Sequence, residues 1–235
     1  MQSNISLEDY FNGDFITSSI TLKQKLKQVK AFVFDWDGVF NDGRKNIEGH
    51  SSFSEVDSMG INMMRFSHHL LYRRLPLTAI ISGEKNELAF SYSRRESFHC
   101  SYYKVAHKEK AFMHFCKLYN ISPADVLFVY DDVLDLSVAK LAGVRFMVGR
   151  RKVNPLFIQY AKENRMVDYI TQHDGNNFAI REISEIVMAL SNNFPLALDH
   201  RIKFSEAYQL YLSDRNKTDT QFFTVQNNEI IQPSA

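Results

Sequence analysis

The sequence has few cysteines and no excess of charge of either sign. Only Cys100 and Cys116 occur in 235 residues, and their spacing fits neither a metal site nor a disulfide framework. The net charge is +1, from 28 basic and 27 acidic residues, which gives no argument for nucleic acid or a membrane as a partner. These shortages favour a globular protein of a reducing compartment whose two thiols are buried.

Two segment types are also missing. No apolar run approaches the roughly 20 residues that a membrane-spanning helix needs. The opening residues MQSNISLEDYFNG lack the basic-then-apolar pattern of a secretion signal. We therefore expect a cytoplasmic protein. The short basic groups are interpreted as mostly solvated surface, namely Arg73–Arg74, Arg94–Arg95 and Arg150–Arg151–Lys152.

What the sequence does contain is an alternation of short apolar runs and amphipathic stretches. The predicted strands cover 29–34, 77–81, 98–102, 126–130, 144–148 and 167–170, and the predicted helices cover 57–74, 85–96, 107–119, 133–142 and 153–164. Continuous apolar strands between helices are typical of a parallel sheet covered on both faces. We predict an α/β fold with a doubly wound, mostly parallel, Rossmann-like sheet, whose ligand crevice lies at the carboxyl ends of the strands.

Three regions depart from this alternation of strands and helices. Residues 41–56 are predicted to form a small β-hairpin above the crevice. Residues 1–27 form an N-terminal extension before a domain at 28–190. Residues 191–235 are interpreted as a C-terminal tail with one helix near 201–212, because the rest is polar and poorly periodic.

The stretch FVFDWDG places two carboxylates at the end of the first strand of the domain. In an extended segment, residues two apart point the same way, so Asp35 and Asp37 face one site while Trp36 faces away. Close carboxylates repel, and an ionised pair needs a cation or a shared proton. One could act as a nucleophile and the other as a general acid and base. A solvated aspartate-rich turn is the competing interpretation.

A second apolar strand, VLFVY, ends in further carboxylates. Asp131 and Asp132 follow it directly, and Asp135 comes one helical turn later. If the two strands are parallel neighbours, their carboxylates converge into a set of oxygen ligands suited to Mg²⁺. An acidic helix N-terminus would explain Asp132 alone, but it would not explain a second carboxylate cluster at a second strand end.

Two weaker signals suggest phosphate binding. Ser82 and Gly83 end the strand LTAII, where a hydroxyl and free N–H groups could hold phosphate oxygens, although serine is also an ordinary helix N-cap. Lys108 begins a predicted helix and could pair with a phosphate and the carboxylates, with Lys110 as its rival.

The order of these motifs resembles the haloacid dehalogenase superfamily, and within it the Kdo-8-phosphate (3-deoxy-D-manno-octulosonate 8-phosphate) phosphatases and their nonulosonate 9-phosphate relatives. The resemblance covers about residues 28–190. It is carried by FDWDGVFNDG, EVDSMGINMM, AIISGEK, HKEKAF, YDDVLDLSVAKLAGV and ITQHDGNNFAIREISEIVM.

The resemblance implies a role for each matching residue. Asp35 corresponds to the phosphate-accepting nucleophile, and Asp37 to the acid/base whose main-chain carbonyl also binds Mg²⁺. Asp35 and Asp131 correspond to metal ligands. The remaining correspondences are phosphate or substrate contacts at Ser82, Gly83, Glu84 and Lys108, and supporting carboxylates at Asp132 and Asp135.

The resemblance further implies that the fold has no large cap domain and that the protein is a homotetramer. It also implies a phosphorylated keto sugar acid as substrate and a place in lipopolysaccharide biosynthesis. Three positions differ from the family pattern. Tyr130 replaces the glycine that usually precedes the two aspartates, Glu84 replaces a frequent arginine, and Gly175 stands without the full glycine pattern. Glu84 favours the nonulosonate branch.

Two alternative functions stay open. One is a phosphatase for another small metabolite. The other is a catalytically weakened scaffold protein, which Tyr130 and the two extensions suggest.

Overall fold

The computed structural model describes residues 6–150 and 153–233. Over these residues one sheet contains nine strands, in the order β1-β7-β6-β5-β2-β3-β4-β8-β9. The strands are β1 (Asp14–Phe15), β2 (Ala31–Phe34), β3 (Leu77–Ile81), β4 (Cys100–Tyr103), β5 (Val126–Tyr130), β6 (Val144–Met147), β7 (Tyr169–Ile170), β8 (Gln221–Gln226) and β9 (Glu229–Ile231). Only β1 with β7 and β8 with β9 pair antiparallel within this described sheet.

Helices cover both faces of the sheet. They are α1 (Leu7–Tyr10), α2 (Ser19–Leu26), α3 (Glu55–Tyr72), α4 (Glu87–Arg95), α5 (Lys108–Leu118), α6 (Leu136–Ala139), α7 (Pro155–Glu163), α8 (Ala179–Leu190), α9 (Phe194–Ile202) and α10 (Glu206–Arg215). None of the helices in 6–150 and 153–233 combines the length and apolar character needed to cross a membrane. The prediction of an α/β, doubly wound, mostly parallel sheet is confirmed.

The two faces of the central strands form two separate cores. Phe32 and Phe34 of β2 pack with α2, α3, α4 and α8 on one face. Val33, on the opposite face, packs with β5 residues and with α5, α6 and α7. Every residue of β2 and β5 is buried because helices cover both faces, which explains their continuous apolar sequences.

The register of the central strands places the predicted site residues at one edge. Phe34 of β2 lies opposite Ile80 of β3 and Val129 of β5, and both pairings are parallel. Asp35, Ser82 and Asp131 therefore leave the sheet at neighbouring positions of its carboxyl edge.

The prediction of a β-hairpin over 41–56 is wrong. No strand lies between Phe34 and Leu77, and α3 already begins at Glu55. The segment closes one turn, in which the Asn46 N–H donates to the His50 carbonyl at 2.8 Å. Its two flanks are held by other partners, because the Asn41 amide bonds the backbone of the loop and Ser51 bonds side chains of the domain.

The description of residues 191–235 as a tail is also wrong over the described part. Helices α9 and α10 pack on α3 through a cluster that includes Phe66, Tyr208 and Tyr211. Strand β8 then pairs parallel with β4 and extends the sheet. Periodicity missed β8 because its sequence, QFFTVQ, is only half-buried near the edge of the sheet.

Residues 14–26 of the N-terminal extension are part of the same fold. Strand β1 pairs with β7, and the buried carboxylate of Asp168 joins this extension to the domain. Asp168 accepts from Thr17 Oγ1 at 2.6 Å, Lys25 Nζ at 2.7 Å and Arg145 Nε at 2.8 Å. Burial acts to raise the pKa of Asp168, but hydrogen bonds from Arg145, Lys25 and Thr17 hold it below its ordinary value.

We expect Asp168→Asn to lower the free energy of unfolding at neutral pH by about 2 kcal/mol, since it weakens the charged hydrogen bonds that the partly exposed Lys25 and Arg145 make to this buried carboxylate. Because the folded-state pKa lies below the unfolded one, the ionised carboxylate stabilises the fold at neutral pH and stops doing so as the pH falls through the folded-state pKa. The difference between variant and unaltered protein should therefore shrink in acid. Urea unfolding at several pH values measures it, with the exposed Asp199→Asn as the matched control.

Candidate active site

Three buried carboxylates meet at the carboxyl edge of the sheet. Asp35 follows β2, Asp131 follows β5, and Asp135 ends the short 3₁₀ turn Val133–Asp135. One oxygen from each lies within 4.8 Å of the others, and all three residues are buried. The convergence expected from two parallel neighbouring strands is therefore present for these residues.

Lys108 connects two members of this cluster. Its Nζ lies 2.6 Å from Asp35 Oδ1 and 2.7 Å from Asp135 Oδ1, and its side chain is buried. Burial disfavours the ammonium, but Asp35 and Asp135 together raise the pKa of Lys108 above its usual value. Its predicted rival, Lys110, is exposed and donates to Asn228, so Lys108 is the lysine of the site.

Asp131 is the member best placed to bind a cation. Burial, and then the nearby charge of Asp35, raise its pKa well above the ordinary value, and the same two causes raise the pKa of Asp135. Oδ2 of Asp131 contacts an Arg150 nitrogen at 2.5 Å. Oδ1 is buried and has no hydrogen-bond partner among the described residues. An unpaired buried oxygen among carboxylates fits a hard divalent cation such as Mg²⁺.

Two glycines allow close backbone packing at and beside this cluster. Gly38 has a φ of +88°, and a Cβ there would lie 2.0 Å from Asp131 Oδ2. A Cβ on Gly175 would lie 2.0 Å from the Asn41 carbonyl oxygen, so the segment after β7 packs directly on the loop that follows Asp37. Both positions therefore require glycine for steric reasons.

Asp37 and Asp132 lie outside the buried cluster. The Asp37 carboxylate is partly exposed and contacts Lys45 Nζ at 2.7 Å, with Ser51 on its other oxygen. Trp36 between the two aspartates is buried and stacks on Phe40, as the alternation predicts. Asp132 is exposed and accepts from the Val133 N–H at 2.7 Å, so in this structure it is a capping residue.

The predicted phosphate-binding loop lies beside the cluster on the neighbouring strand. Ser82 is buried one residue past β3, and its Oγ accepts from the Glu84 N–H at 3.2 Å. The N-cap of α4 is Asn86 rather than Ser82, so the ordinary explanation for this serine does not apply. Gly83 faces open space, and Glu84 is exposed.

Tyr130 is turned away from the carboxylates. Its ring stacks on Phe128 on the opposite face of the sheet, and its hydroxyl donates to the Met166 carbonyl at 2.9 Å. Alternation along β5 places Tyr130 and Asp131 on opposite sides. The tyrosine thus occupies a buried position in the core, and one of the two reasons for suspecting a weakened site is removed.

Sequence reasoning missed Arg150, which was assigned to solvated surface. It follows β6 and therefore leaves the sheet at the same edge as Asp131, which is the signal that could have identified it. The two other members of its basic group lie outside the described residues. Arg150 also lines an open polar cleft of about 710 Å³, together with Asp42, Arg44, Gly149, Val153, Gln172, Asp174, Asn176 and Asn177.

Comparisons with known proteins found relatives in sequence and in fold. No family profile matches the chain. The 3-deoxy-D-manno-octulosonate 8-phosphate phosphatase of Escherichia coli (strain B / BL21-DE3) is 26% identical over 174 residues, covering 72% of this chain and 85% of that protein.

Two solved structures share the fold. The enzyme of that same name from Moraxella catarrhalis, in complex with magnesium, phosphate and a KDO molecule, has a TM-score of 0.64 at 24% identity, over 77% of this chain and 98% of its own. A subfamily III A hydrolase of the superfamily from Legionella pneumophila has a TM-score of 0.65 at 22% identity, over 79% of this chain and 96% of its own.

We expect Mg²⁺ to raise the melting temperature of the protein, because a ligand that binds only the folded state adds about 2.7 kcal/mol at one hundred times its dissociation constant. Asp131→Asn should abolish most of this gain, because it removes a charged ligand beside Asp35. Asp132→Asn, in the same acidic turn but exposed, should keep it. Thermal unfolding with and without Mg²⁺ measures the shift, and equal loss in both variants would contradict the assignment of Asp131.

Proposed function

We propose that the chain is a phosphatase of the haloacid dehalogenase superfamily, similar to the Kdo-8-phosphate phosphatases. On this premise, it hydrolyses a phosphorylated eight- or nine-carbon keto sugar acid with Mg²⁺ as cofactor. The observation that carries the proposal is the buried set of Asp35, Asp131 and Asp135 around Lys108. Such a set can hold a cation and a phosphoryl group next to a carboxylate nucleophile.

In the proposed first step, a carboxylate oxygen of Asp35 attacks phosphorus. A new O–P bond forms to Asp35, the ester P–O bond breaks, and the departing sugar alkoxide takes a proton from Asp37. Lys108 holds Asp35 in place and offers positive charge to the equatorial oxygens. A bound Mg²⁺, held by Asp35, Asp131 and the Asp37 carbonyl, would neutralise charge that develops on the phosphoryl group.

In the second step, water attacks the phosphorus of the aspartyl phosphate and gives its proton to Asp37. The O–P bond to Asp35 breaks, phosphate leaves, and both aspartates return to their starting states. Ester and water are thus converted into alcohol and phosphate with no other reactant.

The cleft beside Arg150 supports a polyhydroxylated substrate that carries a carboxylate. Two guanidinium groups, from Arg44 and Arg150, line it together with the amide side chains of Asn176 and Asn177 and the carboxylates of Asp42 and Asp174. Arg44 pairs with Asp42 and Arg150 with Asp131, so a substrate carboxylate would share these guanidinium groups. Guanidinium groups suit a carboxylate and amides suit hydroxyls, which are the two functions of a sugar acid.

The predicted homotetramer belongs to the same proposal. Segments that carry or flank the site expose apolar side chains, namely Ile47, Val133, Leu134 and Phe178. A neighbouring copy that covers them would bury apolar surface and close the crevice.

We expect Asp35→Asn to lower Mg²⁺-dependent phosphate release by at least about a thousandfold, because the amide is a poor nucleophile. The substrate panel comprises Kdo 8-phosphate, a nonulosonate 9-phosphate, glucose 6-phosphate and p-nitrophenyl phosphate. Asp132→Asn is the matched control and should retain most of the activity. No turnover of any panel member by the unaltered protein would contradict the proposed function, and an active Asp35→Asn would contradict only the nucleophile.

We expect Glu84→Arg to shift preference toward Kdo 8-phosphate over the nonulosonate 9-phosphate by about tenfold, since a cation beside Ser82 changes which carboxylated sugar is accepted. The ratio of the two kcat/KM values measures this. Glu163→Arg, the same charge change at an exposed position of α7, is the control and should leave the ratio unchanged. A ratio unaltered by Glu84→Arg would remove Glu84 from the specificity determinants.

A further inference from the structure

The carboxylate of Asp37 is held from two different sides. Ser51 Oγ donates to Asp37 Oδ1, and Lys45 Nζ contacts Oδ2 at 2.7 Å. Ser51 is buried, whereas the Lys45 side chain is about one-third exposed on the loop before α3. The two contacts therefore differ in permanence, because a buried hydroxyl is fixed by its surroundings and an exposed ammonium can exchange with water.

The direction of the Ser51 proton follows from its other partners. Trp36 Nε1 donates to Ser51 Oγ at 3.2 Å, and Asn86 Nδ2 donates to it at 2.8 Å. An indole N–H is a donor only. A hydroxyl has one proton and two lone pairs, so both lone pairs are used and the single proton remains for Asp37.

The orientation of the Asn86 amide is fixed independently. Its Oδ1 accepts from the N–H groups of Leu88 and Ala89, at 3.0 and 3.3 Å, as the N-cap of α4. The NH₂ group must then point to Ser51. Asn86 and Trp36 are both completely buried, so water does not compete for the Ser51 lone pairs.

We propose that Ser51, set by Trp36 and Asn86, is a positioning residue for Asp37. It occupies Oδ1 permanently, so the proton that Asp37 gives and receives is carried by Oδ2. Lys45 contacts Oδ2 while Asp37 is ionised. Before the first step, Oδ2 exchanges this contact for a proton from solvent, and that is the proton the departing alkoxide takes. This inference rests on the proposed function, in which Asp37 is the acid/base.

Ser51→Ala tests the proposal through its dependence on the leaving group. The kcat/KM value reports the steps up to the first irreversible one, in which the leaving alkoxide of Kdo 8-phosphate needs a proton from Asp37. The leaving phenolate of p-nitrophenyl phosphate does not. We expect kcat/KM for Kdo 8-phosphate to fall about ten- to a hundredfold and that for p-nitrophenyl phosphate to change less than about threefold.

A second variant keeps the test valid if Ser51→Ala folds poorly. Asn86→Asp retains a capping oxygen for α4 but replaces the donor to Ser51 by an acceptor, which competes with Asp37 for the hydroxyl proton. It should give the same selective loss. Ser52→Ala, which removes the exposed neighbouring hydroxyl, is the control and should leave both kcat/KM values unchanged.

An equal fall in kcat/KM for both esters would assign Ser51 a merely structural role and overturn the inference. No change in kcat/KM for either ester would also overturn it. If another sugar phosphate of the panel is hydrolysed faster than Kdo 8-phosphate, that alkyl ester replaces it in the comparison. If the unaltered protein hydrolyses neither ester class, the proposed function fails and this inference fails with it.

Discussion

The structure depends on the concentration of three buried carboxylates at one edge of the sheet. Desolvation and mutual repulsion both disfavour their ionised forms, so the cluster is costly unless cations balance it. Lys108 offsets the negative charge of Asp35 and Asp135 by contacting both, and Arg150 offsets that of Asp131. The unpaired oxygen of Asp131 shows that two side-chain cations do not complete it. A divalent metal ion would meet the remaining demand, so the electrostatics of the site and its proposed chemistry have the same cause.

A rigid frame is needed to hold like charges together. The central strands β2 and β5 are buried on both faces, and their parallel register presents Asp35 and Asp131 side by side. Above the sheet, Gly38 brings backbone close to Asp131, and Gly175 packs on the backbone of Gly38 and Asn41. The hydrogen bonds of Ser51 also fix the position of the Asp37 carboxylate. The site is thus pre-organised by the core below it and by the loop packing around it.

The terminal regions add strands to both sides of the sheet. Strand β1 reaches β7 through a sequence separation of more than 150 residues, and its two residues carry no periodic signal. Strand β8 joins β4 in the same way, one strand in from the edge, where side chains are only half-buried. Sequence patterns identify strands that are buried on both faces, and all six of those predicted are present within a few residues. They do not identify edge strands, whose stability comes from partners distant in the sequence. The same reason explains the wrong hairpin, because the Asn41 and Ser51 contacts that replace it are tertiary.

The sequence alone determined the α/β class, the central strands and the residue types at their carboxyl ends, because burial on both faces and the order of motifs are local properties. Tertiary structure alone decided which of those residues act together. It brought Asp35, Lys108, Asp131 and Asp135 into one cluster, placed Asp132 in solvent and turned Tyr130 into the core. It also added Arg150 and Ser51, whose roles follow from hydrogen bonds and ion pairs to distant residues. Strand direction and side-chain alternation fix where a carboxylate can point, but only packing fixes what it meets there.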